Sequence, residues 1–66
     1  MWWFFSKTLT YQEFIKYIRN EQISIQDRIH YFYNNIHLFS EEIQKKEYKE
    51  DRYFISDLLV KEFEKN

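Results

Sequence analysis

From Tyr11 onward the apolar side chains fall into three runs separated by short polar intervals. Tyr11, Phe14, Ile15 and Ile18 stand at i, i+3, i+4 and i+7 and so line one face of a helix. Ahead of them, Thr10 followed by Glu13 forms a capping box: the Thr hydroxyl can accept from the third helical amide, and the Glu carboxylate can reach back to the Thr amide. Leu9 and Phe14 occupy the two positions of a hydrophobic staple, and the pattern predicts a helix ending at about Asn20. In the second run Ser24 is the cap, with Asp27 three residues on, and Ile25, Ile29, Phe32 and Ile36 follow in steps of four, three and four. Tyr31 and Tyr33 flank that stripe and are expected to widen its buried face. Because only residues 20–23 connect the two runs, the first two helices should be neighbours packed at an angle.

The third run begins at Ser40, read as a cap, with Glu41 and Glu42 suited to the positive end of a helix dipole. The stretch QKKEYKEDR, residues 44–52, has a single apolar side chain, Tyr48. Glu41 with Lys45 and Glu42 with Lys46 are spaced for i, i+4 pairing, and Ile55, Leu58, Leu59 and Phe63 then restore helical periodicity. No Gly or Pro marks a break, so residues 40–66 read either as one helix bent near Tyr48 or as two helices split there. The fold expected is all-α: a single domain, residues 1–66, built as a small bundle of three to four helices with residues 1–9 as an aromatic segment packed on it.

Composition sharpens that picture. Ordering a chain of 66 residues costs on the order of 100 kcal/mol, which apolar burial has to offset almost entirely. There is no Cys for a disulfide, and two His without Cys do not make the usual structural zinc site. The substitute is aromatic mass: two Trp, six Tyr and seven Phe make up 23% of the chain, and each buried ring removes about 150–250 Å² from water. Gly and Pro are both absent, which takes away the residues that tight hairpins, phosphate-binding loops and nucleophile elbows depend on. MWWFF has no basic residue ahead of it and no small-residue cleavage site behind it, and it is far shorter than a secretory or membrane-spanning segment. Trp2, Trp3, Phe4 and Phe5 can serve as core, as a protein interface, or as contact to a membrane surface; adjacent residues cannot all face inward, so some of them are expected to be exposed.

Candidate chemistry is sparse. His30 and His37 are seven residues apart, about 10 Å along a helix, which is too far to share one metal ion without outside ligands. Paired carboxylates such as Glu41 with Glu42 or Glu50 with Asp51 lie in charged surroundings that would not raise a pKa, and the four Ser lack an activating partner. No enzyme, cofactor or small-molecule substrate is therefore expected. Lys45, Lys46, Lys49 and Arg52 could contact phosphates in a helix-turn-helix-like regulator, yet Glu42, Glu47, Glu50 and Asp51 stand among them and the net charge is −1. The leading expectation is a small cytoplasmic binding module that docks Trp2, Trp3, Phe4 and Phe5 onto another protein or onto a second copy of itself. Heavy use of Asn, Ile, Lys, Tyr and Phe fits a low-GC bacterium or its phages, where such a protein would modulate a host factor. The alternatives are the DNA-binding regulator and a peripheral membrane protein anchored by Trp2 and Trp3.

Several residues also resemble a known family. Tyr11, Phe14, Ile15 and Arg19, then Ser24 and Ile25 with Asp27 and Tyr33, then Asp51, Ile55, Ser56 and Leu59, are similar in type and spacing to the YozE-type small bacterial proteins. The similarity spans most of Tyr11 to Leu59, and it differs at Ser40, Asn34, Asn35 and an apparent insertion over residues 43–51. What the resemblance implies is a compact SAM-like helical bundle. It implies no activity.

Overall fold

The computed structural model describes residues 8–64. Three α-helices account for most of them: α1 over Tyr11–Ile18, α2 over Ile25–Asn35 and α3 over Lys49–Glu64, with no strand among the described residues. The protein is a small all-α bundle. The expectation that an aromatic N-terminal segment packs on it concerns mainly residues 1–7, which lie outside the described residues.

The first two helices start where their caps predict. Thr10 is extended, its Oγ1 accepts from the Glu13 amide at 3.2 Å, and the Thr10 amide donates to Glu13 Oε1 at 3.1 Å, completing the capping box. At Ser24 the hydroxyl oxygen accepts from the Asp27 amide at 3.1 Å. Between the helices Asn20 supplies a turn by itself: its Oδ1 accepts from the Gln22 amide at 2.9 Å and its carbonyl from the Ile23 amide at 3.1 Å. Asn20 thus holds the corner with its own side chain and carbonyl, and no residue there needs a positive φ.

The chain after α2 departs from the expectation of a helix starting at Ser40. α2 runs on into a 3-10 turn over Ile36–Leu38, two more such turns follow at Glu42–Gln44 and Lys46–Tyr48, and the α-helix begins only at Lys49. The turn after Ser40 has no side-chain cap, and Lys45 between the two turns is extended, with ψ 148°. The reason lies in the spacing of Ile43 and Tyr48, which in one continuous helix would point about 140° apart. Extending the backbone at Lys45 lets both face inward: Ile43 is buried, and the Tyr48 ring lies 4.1 Å from that of Tyr11. Glu41 and Lys45, and Glu42 and Lys46, are consequently not placed on successive turns of one α-helix. Arg52 secures the detour by donating Nη1 to the carbonyls of Ile43 at 2.6 Å and Lys45 at 2.8 Å.

The core is aromatic at its centre and aliphatic at its edges. Phe14 is fully buried, with its ring 4.7 Å from Phe39, 6.0 Å from Tyr31 and 6.2 Å from both Phe32 and Tyr11. Ile15, Ile18, Ile43, Ile55 and Leu58 surround that centre. Tyr17 and Tyr31 stack at 3.8 Å across the α1/α2 seam. Two charged groups tie the helices together. The buried Arg28 of α2 donates Nη1 to the Ile18 carbonyl at 3.1 Å, placing a cation at the negative end of α1. Asp51 of α3 accepts from the Tyr11 hydroxyl at 2.9 Å and from Arg19 Nη2 at 2.8 Å, and the Arg19 guanidinium sits 4.4 Å over the Phe54 ring.

Candidate functional site

An α-helix that packs on one side needs only one apolar stripe, and α3 has more than that. At about 100° per residue, Phe54, Ile55 and Leu58 occupy one arc, while Tyr53, Val60 and Phe63 occupy another, with Leu59 between the two. The first arc is spent on the core, where Ile55 and Leu58 are buried and Phe54 is half-buried. The second is not: Phe63 is 80% exposed, Tyr53 60% and Val60 47%. Angle explains the difference: the two arcs lie on nearly opposite sides of α3, and only the first faces the core.

What the last turns of α3 do meet is α2. Ile29 and Tyr33 of α2, with Leu59, Glu62 and Phe63 of α3, line a groove of about 270 Å³. Its walls are mainly apolar, and Tyr33 is itself 60% exposed. One expectation from the sequence is corrected here: Tyr33 borders an open groove instead of widening the buried face, whereas Tyr31 is half-buried as expected. Phe63 continues the apolar spacing of Ile55, Leu58 and Leu59 but stands out in solvent. A second depression, of about 300 Å³ over Glu13, Lys16, Tyr17 and Asn20, follows the mostly polar outer surface of α1.

The structure distributes the other candidate residues without gathering them. Trp2, Trp3, Phe4 and Phe5 lie outside the described residues. Lys45 and Lys46 are exposed in the turns before α3, and Lys49 is exposed in its first turn with Nζ 5.8 Å over the Tyr53 ring. Arg52 is half-buried and committed to two backbone carbonyls. The four cations thus straddle a break in the helix and do not form one recognition face. His30 and His37 are both exposed, and among the described residues no three of His, Cys, Asp and Glu come together as a metal would need.

The one cluster with strong electrostatics braces the fold. Burial, and then the hydrogen bond to Asp51 and its negative charge, push the Tyr11 hydroxyl well above the usual tyrosine range. Moving it further from neutrality holds its proton in place, the reverse of what proton transfer near pH 7 requires. Tyr31 moves in the same direction, chiefly through burial and then through the charges of Tyr17 and Glu13 nearby. Among the described residues no helix is long and apolar enough to cross a membrane. Compared with protein-family models, with curated proteins and with solved structures, the chain finds no match. The second arc of α3 and its groove against α2 are therefore read from their own geometry. Their signal was present in the sequence: Val60 falls off the Ile55–Leu58–Leu59 stripe, and a helix with apolar residues on more than one side has more apolar surface than a single packing face uses.

Proposed function

We propose that this protein is a small, non-enzymatic binding module that docks a polypeptide through the apolar strip shared by α2 and α3. The observation that supports this reading is Phe63, a large aromatic 80% exposed beside an apolar groove in a chain with little core to spare. A bundle this small gains more from burying such a ring than from displaying it, and contiguous exposed apolar surface marks interaction sites. Between Tyr53 and Phe63 the polar residue on the α3 arc is Ser56, with the charged Glu62 and Lys49 at the strip's borders, as suits an apolar centre with a polar rim. Composition favours a cytoplasmic protein of a low-GC bacterium or phage, acting on a host protein.

The test is site-specific photo-crosslinking in cells. A photoreactive phenylalanine analogue is placed at Phe63, and in a control at Gln12 on the polar side of α1. The reading expects discrete protein adducts from the first position and none from the second. Equal labelling from both, or none from either, would contradict it.

A further inference from the structure

Resting on that reading of the strip, we infer that its occupant is a second copy of this chain, paired about a two-fold axis. An isologous contact requires one patch to hold both a projecting element and the recess that receives it, because each copy must offer what the other needs. This patch holds both. Phe63 projects with 80% of its surface free, and the groove beside it, lined by Ile29, Tyr33, Leu59 and Glu62, has about 270 Å³ of open space. A cavity of about 150 Å³ takes up benzene, so one phenyl ring fits with room for adjustment. Rotating one copy onto the other sets each Phe63 ring into the opposite groove, against the partner's Tyr33 and the partner's Phe63. Offset or edge-on aromatic packing is favoured there over simple apolar contact.

Area points to the same occupant. With Phe63, Tyr33 and Tyr53 at 80%, 60% and 60% exposure and Val60 at 47%, these four residues expose about 500 Å² per copy, so a pair that covered them fully would bury about 1,000 Å². That total meets the lower bound that separates a specific interface from an incidental contact, as suits a reversible pair. Along the α3 arc between Tyr53 and Phe63 the polar member is the small, neutral Ser56; charge borders the strip at Glu62 in the groove and at Lys49 over the Tyr53 ring.

The experiment is sedimentation equilibrium of the full chain from about 1 to 500 µM, with wild type, Phe63→Glu, and the double variant Trp2→Ala/Trp3→Ala. The inference expects a reversible monomer–dimer equilibrium in the wild type, retained in the tryptophan variant and weakened at least tenfold by Phe63→Glu. Circular dichroism should stay helical for Phe63→Glu, because the ring it replaces is outside the core. A wild type that stays monomeric throughout overturns the inference; adducts to a different protein at Phe63 would then leave the docking reading standing, and an absence of adducts would remove both. A dimer unaffected by Phe63→Glu but lost with the tryptophans also overturns it, placing the contact on residues 2–5.

Discussion

Asp51 is the residue on which the α1/α3 arrangement leans most heavily, and its replacement by Ala makes the sharpest test of that brace. The side chain is only 17% exposed, and it holds two donors at once, the buried Tyr11 hydroxyl at 2.9 Å and the Arg19 guanidinium at 2.8 Å. Arg19 is 41% exposed, so solvent screens its share and the ion pair contributes about 1 kcal/mol or less. The Tyr11 bond weighs more, because its acceptor is charged and removing that acceptor strands a hydroxyl inside the core, at about 1–3 kcal/mol. Asp51→Ala should therefore cost about 2–4 kcal/mol in urea unfolding followed by circular dichroism. In a Tyr11→Phe background no hydroxyl is left to strand, and the same substitution should cost only about 1 kcal/mol. An undiminished cost in that background would refute the assignment. The pH dependence carries a sign as well. Tyr11 is raised in the folded protein above its ordinary value of 10.0, so its contribution is fully present below pH 10 and is lost as pH rises beyond that, where the unfolded chain ionises first. Alkaline unfolding should accordingly be less steep in Tyr11→Phe than in the wild type.

Other consequences are more local. Thr10→Ala and Ser24→Ala each remove a cap hydrogen bond and should lower stability by about 0.5–2 kcal/mol, with no change in either meaning that the two helix starts do not depend on these side chains. Arg52→Ala frees the carbonyls of Ile43 and Lys45 and should cost about 1–3 kcal/mol, with faster amide exchange over residues 43–48; unchanged exchange there would separate Arg52 from the turn geometry. Because Arg52 is turned onto the backbone, replacing Lys45, Lys46 and Lys49 by Gln should leave duplex DNA retention at its baseline, and a steeply salt-dependent loss of binding would revive the nucleic-acid alternative.

How far the sequence revealed these features depended on whether the signal was local. The starts of α1 and α2 were legible because a capping box and an i, i+3 cap are each completed within four residues, and both occur where Thr10 and Ser24 stand. Ser40 carried a similar local signal, and tertiary packing overrode it: burying Ile43 while stacking Tyr48 on Tyr11 requires the backbone to leave the helix at Lys45. The bracing role of Asp51 could not be read from the sequence, since its partners lie 40 and 32 residues away and no local pattern separates it from its acidic neighbours. The α3 strip was half legible. Periodicity identified Ile55, Leu58, Leu59 and Phe63 as one apolar series, but Phe63 stands about 140° around the helix from Leu58, at the edge of that series, and there the packing leaves it exposed.

That division can be tested by a single comparison of Leu58→Ala with Phe63→Ala in urea melts, run at a concentration where sedimentation finds each variant monomeric. Leu58 is 5% exposed, and its truncation should leave a cavity and cost about 2–5 kcal/mol. Phe63 is the larger side chain, but its removal should change monomer stability by no more than about 0.5 kcal/mol. If Phe63→Ala destabilises the monomer as much as Leu58→Ala does, the second arc of α3 is core, and the docking surface built on it does not exist.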